Sequence, residues 1–134
     1  MRTLPTLVLL LAIWPFPSGK TYPMTADQSV PAASGTVKVQ TGSHNRNTTL
    51  DVKVANLAKP TSLTPPANVY ILWVRPSGGS AINEGAIRVN KNLNGELKVV
   101  TTLKSCDVFI TAEQSPTATS PDGLNVLHTH ISAN

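Results

Sequence analysis

The sequence predicts an all-β chain: a two-sheet antiparallel, immunoglobulin-like sandwich of about seven strands, with a small open β-barrel as the alternative architecture. Three observations carry that expectation. Apolar and polar residues alternate with period two in several short runs, the mark of strands buried on one face. Clusters of Gly, Pro, Asn and Ser separate those runs. Eleven prolines and eight glycines, spread over 134 residues, argue against long helices.

The chain divides into a signal peptide at residues 1–18, a flexible lead-in at 19–34 and a β-sandwich domain at 35–134. Arg2 precedes an uncharged apolar run from Leu4 to Trp14, and Pro15, Pro17 and Gly19 follow it, the layout of a secretory signal. Eleven residues span about 16 Å as a helix, roughly half of a bilayer's hydrocarbon core. The run is too short for a comfortable transmembrane span. The expected product is exported, periplasmic or secreted, and begins between Gly19 and Asp27. Thr21 to Ser34 is rich in Pro, Ser, Thr and Ala and reads as the lead-in.

The strands follow in order. Val37 and Val39 alternate with Thr36, Lys38 and Gln40, and Leu50, Val52 and Val54 repeat the pattern after a polar turn at Gly42 to Asn47, which makes a hairpin. Lys59 to Pro66 is a breaker-rich crossing. Asn68 to Arg75 is apolar on both faces and reads as a central strand, ended by Pro76 to Gly79. Ala81 to Val89 is a strand with Gly85 inside it, the position of a bulge. The Asn94 and Gly95 pair reads as a tight turn with positive φ. Glu96 to Thr102, Cys106 to Glu113 and Leu124 to Ile131 complete the set. Trp73 falls on the third strand, where such sandwiches bury a tryptophan, and Cys106 starts the sixth. The strand that faces Cys106 in an antibody-type domain offers Val52 and Val54, so that disulfide is absent.

His128 and His130 are the candidate metal ligands. Two apart on a strand, they point to the same side roughly 7 Å apart and could share zinc or copper if His44, Asp107 or Cys106 converged on them. Cys106 alternates with Val108, Ile110 and Ala112 and reads as a core thiol. There is no nucleophile elbow, no His-Glu-x-x-His and no phosphate loop, so no catalytic residues are nominated and no cofactor is expected. The seven acidic residues are scattered. Once Arg2 leaves with the signal, the formal charge of +4 falls, and the remaining basic residues are dispersed without interleaved aromatics. Nucleic acid is therefore not an expected partner. Asn47 and Thr49 frame a glycosylation sequon, of consequence only in a eukaryotic host.

From Asn68 onward the combination resembles a known family. Tyr70 and Trp73 on one strand, the Gly78 and Gly79 turn, Gly85, and Thr111 to Glu113 followed by Pro121, Val126 and Leu127 are similar to the extracytoplasmic domain of bacterial anti-sigma-K-type factors. The match covers Asn68 to Leu127. Family members also carry a cytoplasmic helical domain that holds the sigma factor and a transmembrane helix, and neither is found here. After Glu113 the family's Pro and Gly-Gly-Ser stretch is replaced by Gln114 to Ser120. The resemblance therefore implies the exported sensor-like β domain alone. The expected function is a non-enzymatic module that binds a protein or an envelope component, with a small metal-binding protein using His128 and His130 as the alternative. Tyr70 and Trp73, three apart, are expected to face opposite sides and to be chiefly structural.

Overall fold

The computed structural model describes residues 19–42 and 46–132; the signal peptide read at 1–18 and His44 lie outside them. Eight strands form among the described residues: β1 (Gly19–Ala26), β2 (Ser34–Thr41), β3 (Thr48–Ala55), β4 (Val69–Pro76), β5 (Ile82–Ile87), β6 (Gly95–Thr101), β7 (Ser105–Glu113) and β8 (Leu124–Ser132). A single 3-10 turn, Pro60–Ser62, interrupts the crossing between β3 and β4. Every pairing is antiparallel, and the order β5-β4-β7-β8-β1-β2-β3-β6 makes one sheet that curls until its two ends approach each other. The all-β expectation holds, and the barrel alternative describes the sheet: the two layers are joined rather than separate.

β1 is what joins them. Residues Gly19 to Met24 pair with β2, while Thr25 and Ala26 pair with β8. The flexible lead-in read at 19–34 is thus corrected, because its first eight residues are a central strand. Tyr22, Met24 and Ala26 carry the inward period-two pattern and pack on the core. Pro23 obscures that pattern in the sequence. It is tolerated because β1 bonds to β8 only at Thr25 and Ala26, leaving the edge beside Pro23 unpaired. The Tyr22 hydroxyl donates to the Ser132 carbonyl at 2.7 Å and accepts from the Ser132 amide at 3.2 Å, fastening β1 to the end of β8.

The barrel interior holds Val37, Leu50, Val52, Tyr70, Leu72, Val74, Cys106, Val108 and Ile110 with their neighbours, as the alternation predicts. Cys106 is buried, and burial together with the charges of Asp107 and Glu84 pushes its thiol up to about 11. Tyr70 points inward and donates to the Ala58 carbonyl at 2.5 Å, while burial raises its hydroxyl to about 12. Trp73 faces the other way. With Ile71 and Phe109 it forms a second apolar cluster on the outer side of β4 and β7. Tyr70 and Trp73 do face opposite sides, and both are fully buried.

Two turns work differently from the sequence expectation. Gly85 has φ of +132° beside the register shift between β4 and β5, so a bulge is built there. Between β5 and β6 the positive φ belongs to Leu93, at 64°, not to the Asn94 and Gly95 pair. Asn90 Oδ1 accepts the amides of Asn92 and Asn94 at 2.9 and 3.0 Å and holds the loop. Gly95 is needed for close approach instead, since a Cβ there meets the Arg88 carbonyl oxygen at 2.8 Å.

Candidate functional site

β4, β7 and β8 lie side by side, and their register gathers one polar group. Asp107 on β7 stands opposite Arg75 on one flank and His130 on the other. Two residues further along, Phe109 stands opposite Trp73 and His128. All of these side chains lie on the outer face, because strand residues two apart share a side. Asp107 Oδ1 lies 2.8 Å from His130 Nδ1, and Asp107 Oδ2 lies 3.5 Å from an Arg75 guanidinium nitrogen. His130 Nε2 is 3.3 Å from Ser105 Oγ. The Arg75 guanidinium also lies over the Phe109 ring, 4.8 Å from its centroid, so the aromatic ring serves as the floor of the site and the cation as its lid.

The electrostatics follow from these contacts. The His130 hydrogen bond holds the Asp107 carboxyl below its ordinary value against the opposing cost of burial, and the Arg75 guanidinium beside it adds to the lowering. Arg75, Asp107 and His130 remain about half exposed. A shallow cavity of about 340 Å³ opens beside them, and Asn125, His128 and Thr129 complete its lining. A second cleft, about 510 Å³, lies where Val30, Ala33 and Leu63 meet Asn56 and Leu124. It is mainly apolar and its lining contains no ionisable side chain, whereas a third cleft of about 470 Å³ is lined by Lys53, Arg88 and Glu96.

His128 and His130 share a side and line the same cavity, as their spacing requires. Both ring nitrogens of His130 already have partners, however, in Asp107 and Ser105. Cys106 points into the core, and among the described residues no group of three His, Cys, Asp or Glu side chains is gathered around a metal position. A shared ion must therefore take His130 Nε2 from Ser105. Ser105, His130 and Asp107 stand in the order used by serine hydrolases. Ser105 is exposed at the start of β7 and does not line the cavity, and Asp107 is divided between His130 and Arg75. The arrangement holds a set of charged and polar groups in fixed orientation on the open face of the sheet.

Sequence reasoning singled out His128 and His130 and named Asp107 among the groups that could converge on them, which the structure places against His130, but it missed Arg75 and Ser105. The signal is faint: outward positions on consecutive strands carry opposite charge. A ten-residue connection and the register shift between Ile110 and Thr111 keep the pairing from being counted along the chain.

The Thr-x-Glu and Trp positions that carry the family resemblance meet in a separate, buried place. Trp73 Nε1 donates to Thr111 Oγ1 at 2.8 Å, and the Thr111 hydroxyl donates to Glu113 Oε2. The same carboxylate oxygen accepts the Gly123 amide at 3.0 Å. No family model matches the chain, and no curated protein matches it in sequence.

Proposed function

We propose that this chain is an exported, non-enzymatic bacterial β module, similar to the extracytoplasmic domain of anti-sigma-K-type factors, that binds a protein or an envelope component. The recognition surface is the outer face of β4, β7 and β8. The observation that carries this reading is the Arg75–Asp107–His130 array above Phe109. Its groups are held by one another on rigid strands while remaining open to solvent. Pre-organised polar groups lose little freedom on association, which favours specific contact at modest area. The basic Arg75 and the two imidazoles around one carboxylate suit an acidic or hydrogen-bonding partner surface.

The test is capture from envelope extracts by the tagged chain and by an Arg75→Ala, His128→Ala double variant with an intact circular dichroism spectrum. A specific component retained by the parent and lost by the variant supports the reading. Equal recovery by both, or recovery of nothing specific, overturns it. Export is checked separately by fusing residues 1–34 to alkaline phosphatase, which is active only outside the cytoplasm. Activity that disappears when residues 1–18 are deleted is the expected result.

A metal on His128 and His130 is the second reading, favoured by their shared side and by the Asp107 contact that fixes the His130 ring. It predicts that Ser105→Ala, which frees His130 Nε2, tightens zinc or copper binding in calorimetric titration. No heat from either protein at micromolar metal removes it.

A further inference from the structure

The cleft of about 470 Å³ is built where β3, β6 and the turn between β5 and β6 meet. Lys53 on β3 stands opposite Glu96 on β6, and Val54 stands opposite Gly95. Gly95 is what brings Arg88 to this row. A Cβ there would lie 2.8 Å from the Arg88 carbonyl oxygen and 3.2 Å from Val54 Cγ2, so the backbone after β5 passes this close only over a glycine. Arg88, Asn90 and Asn94 then line the cleft from the turn, facing Lys53 and Glu96.

The polar groups of this cleft are not spent on one another. Both ion pairs among the described residues involve Asp107, so neither Lys53 nor Arg88 has a carboxylate partner. Glu96 does not close on Lys53 despite standing opposite it. All three side chains are exposed. Asn90 adds a donor of fixed direction. Its Oδ1 accepts the amides of Asn92 and Asn94 at 2.9 and 3.0 Å, which turns Nδ2 away from the loop, and Nδ2 has no acceptor among the described residues.

The shape of this donor set selects a ligand. A guanidinium fork, an ammonium and a carboxamide reach one space from three segments of the chain. A planar carboxylate offers two oxygens to such a set, whereas a phosphate monoester offers three terminal oxygens and carries more charge. The cleft is also larger than a phosphate group, in the range of roughly 300–1,000 Å³ that holds small molecules. The groups left over, Glu96 and the Asn94 amide, are acceptors and donors suited to hydroxyls.

We propose that this cleft binds a phosphate monoester carried on a hydroxylated small molecule, a sugar or polyol phosphate. Arg88, Lys53 and Asn90 Nδ2 donate to the phosphate oxygens, and Glu96 accepts from a hydroxyl. The cleft uses none of the residues of the Arg75–Asp107–His130 array, and the inference does not rest on the function proposed for that face.

The experiment is titration of the full chain with glucose 6-phosphate and with inorganic phosphate at constant ionic strength, followed by amide and side-chain NMR shifts. Saturable shifts at Asn90, Asn94 and Gly95 are expected, with the sugar phosphate binding more tightly than inorganic phosphate. Lys53→Gln and Arg88→Gln each weaken binding of both probes roughly tenfold, the loss of one charge-assisted contact. Glu96→Gln has the opposite sign for inorganic phosphate, which it tightens, and it narrows the advantage of the sugar phosphate. Lys59→Gln, which removes an equal charge from an exposed residue outside the cleft, leaves binding unchanged. No saturable shift at 50 mM of either probe overturns the proposal, as do shifts centred on other residues or full binding by the Lys53 and Arg88 variants. Weakening by Lys59→Gln equal to that by Lys53→Gln also overturns it, because net charge alone then draws the anion. Glucose 6-phosphate bound no more tightly than inorganic phosphate overturns the assignment of a hydroxylated ester.

Discussion

The outer face of β4 and β7 has two halves that treat the same kind of surface in opposite ways. At one end Ile71, Trp73, Thr111 and Glu113 are buried, because the loop after β7 folds back over them. Asn83 Nδ2 holds that loop by donating to the carbonyls of Pro116 and Ala118 at 3.0 and 2.9 Å. At the other end Arg75, Asp107 and His130 stand open. Phe109 lies on the border, 4% exposed, with Trp73 on the sealed side and the Arg75 guanidinium above it. The difference teaches which polar groups hold the fold and which stand open to solvent. In the sealed half each buried donor and acceptor has a partner inside the chain, so breaking one leaves another orphaned. In the open half water replaces whatever is removed.

The largest expected effect tests the clasp of the sealed half. A Cβ at Gly123 falls 1.8 Å from the Ala112 carbonyl oxygen, and the Gly123 amide is the one that reaches Glu113. Gly123→Ala must shift the start of β8 and break that bond, a loss on the order of 4 kcal/mol. Urea unfolding should show it as a markedly lower midpoint, and a midpoint equal to the parent's would mean that the clasp is dispensable. Trp73→Ala comes next at about 3 kcal/mol, from the emptied space and the lost indole hydrogen bond to Thr111, whose hydroxyl still donates to Glu113. Glu113→Gln follows at about 1–2 kcal/mol, since the amide keeps its shape but weakens the bonds from Thr111 and Gly123. Combining Trp73→Phe with Glu113→Gln sharpens the comparison. The two losses should fall short of additive if the indole, hydroxyl and carboxylate act as one network.

The sealed half also explains what could be read in advance. Period-two alternation over Val37, Val39, Leu50, Val52 and Val54 is a local property, and the first hairpin follows from it directly. Among the residues that carry the resemblance over Asn68 to Leu127, Trp73, Thr111 and Glu113 are residues of packing and loop closure. The resemblance therefore speaks to architecture more than to activity. β1 was hidden by Pro23, although Tyr22, Met24 and Ala26 keep the alternation. The side on which Trp73 lies was hidden as well, because a strand apolar on both faces does not say which face a later loop will cover. The candidate site needed still more distant information. Asp107 meets His130 only through the β7–β8 register, which a bulge offsets. The meeting of β5 and β6 depends on how far an eight-stranded sheet curls, a property of the whole molecule.

The smallest effect belongs to the open half. Asp107 has its carboxyl pKa lowered in the folded chain by His130 and Arg75. A depressed carboxylate contributes stability that is present above the unfolded value of about 3.9 and is lost as the pH falls through the folded value. Because the group is 45% exposed, the contribution is reduced by solvent and salt. Asp107→Asn is expected to cost about 0.5 kcal/mol at neutral pH. Measured downward from pH 5, the gap between parent and variant should narrow and close once Asp107 is protonated in both states, and 1 M salt should shrink it at every pH. A gap that persists at the acid end would show that Asp107 acts by packing, not by charge. If stability barely moves while capture of the envelope component fails, the open half serves recognition, which the sealed half, tied up in its own bonds, cannot do.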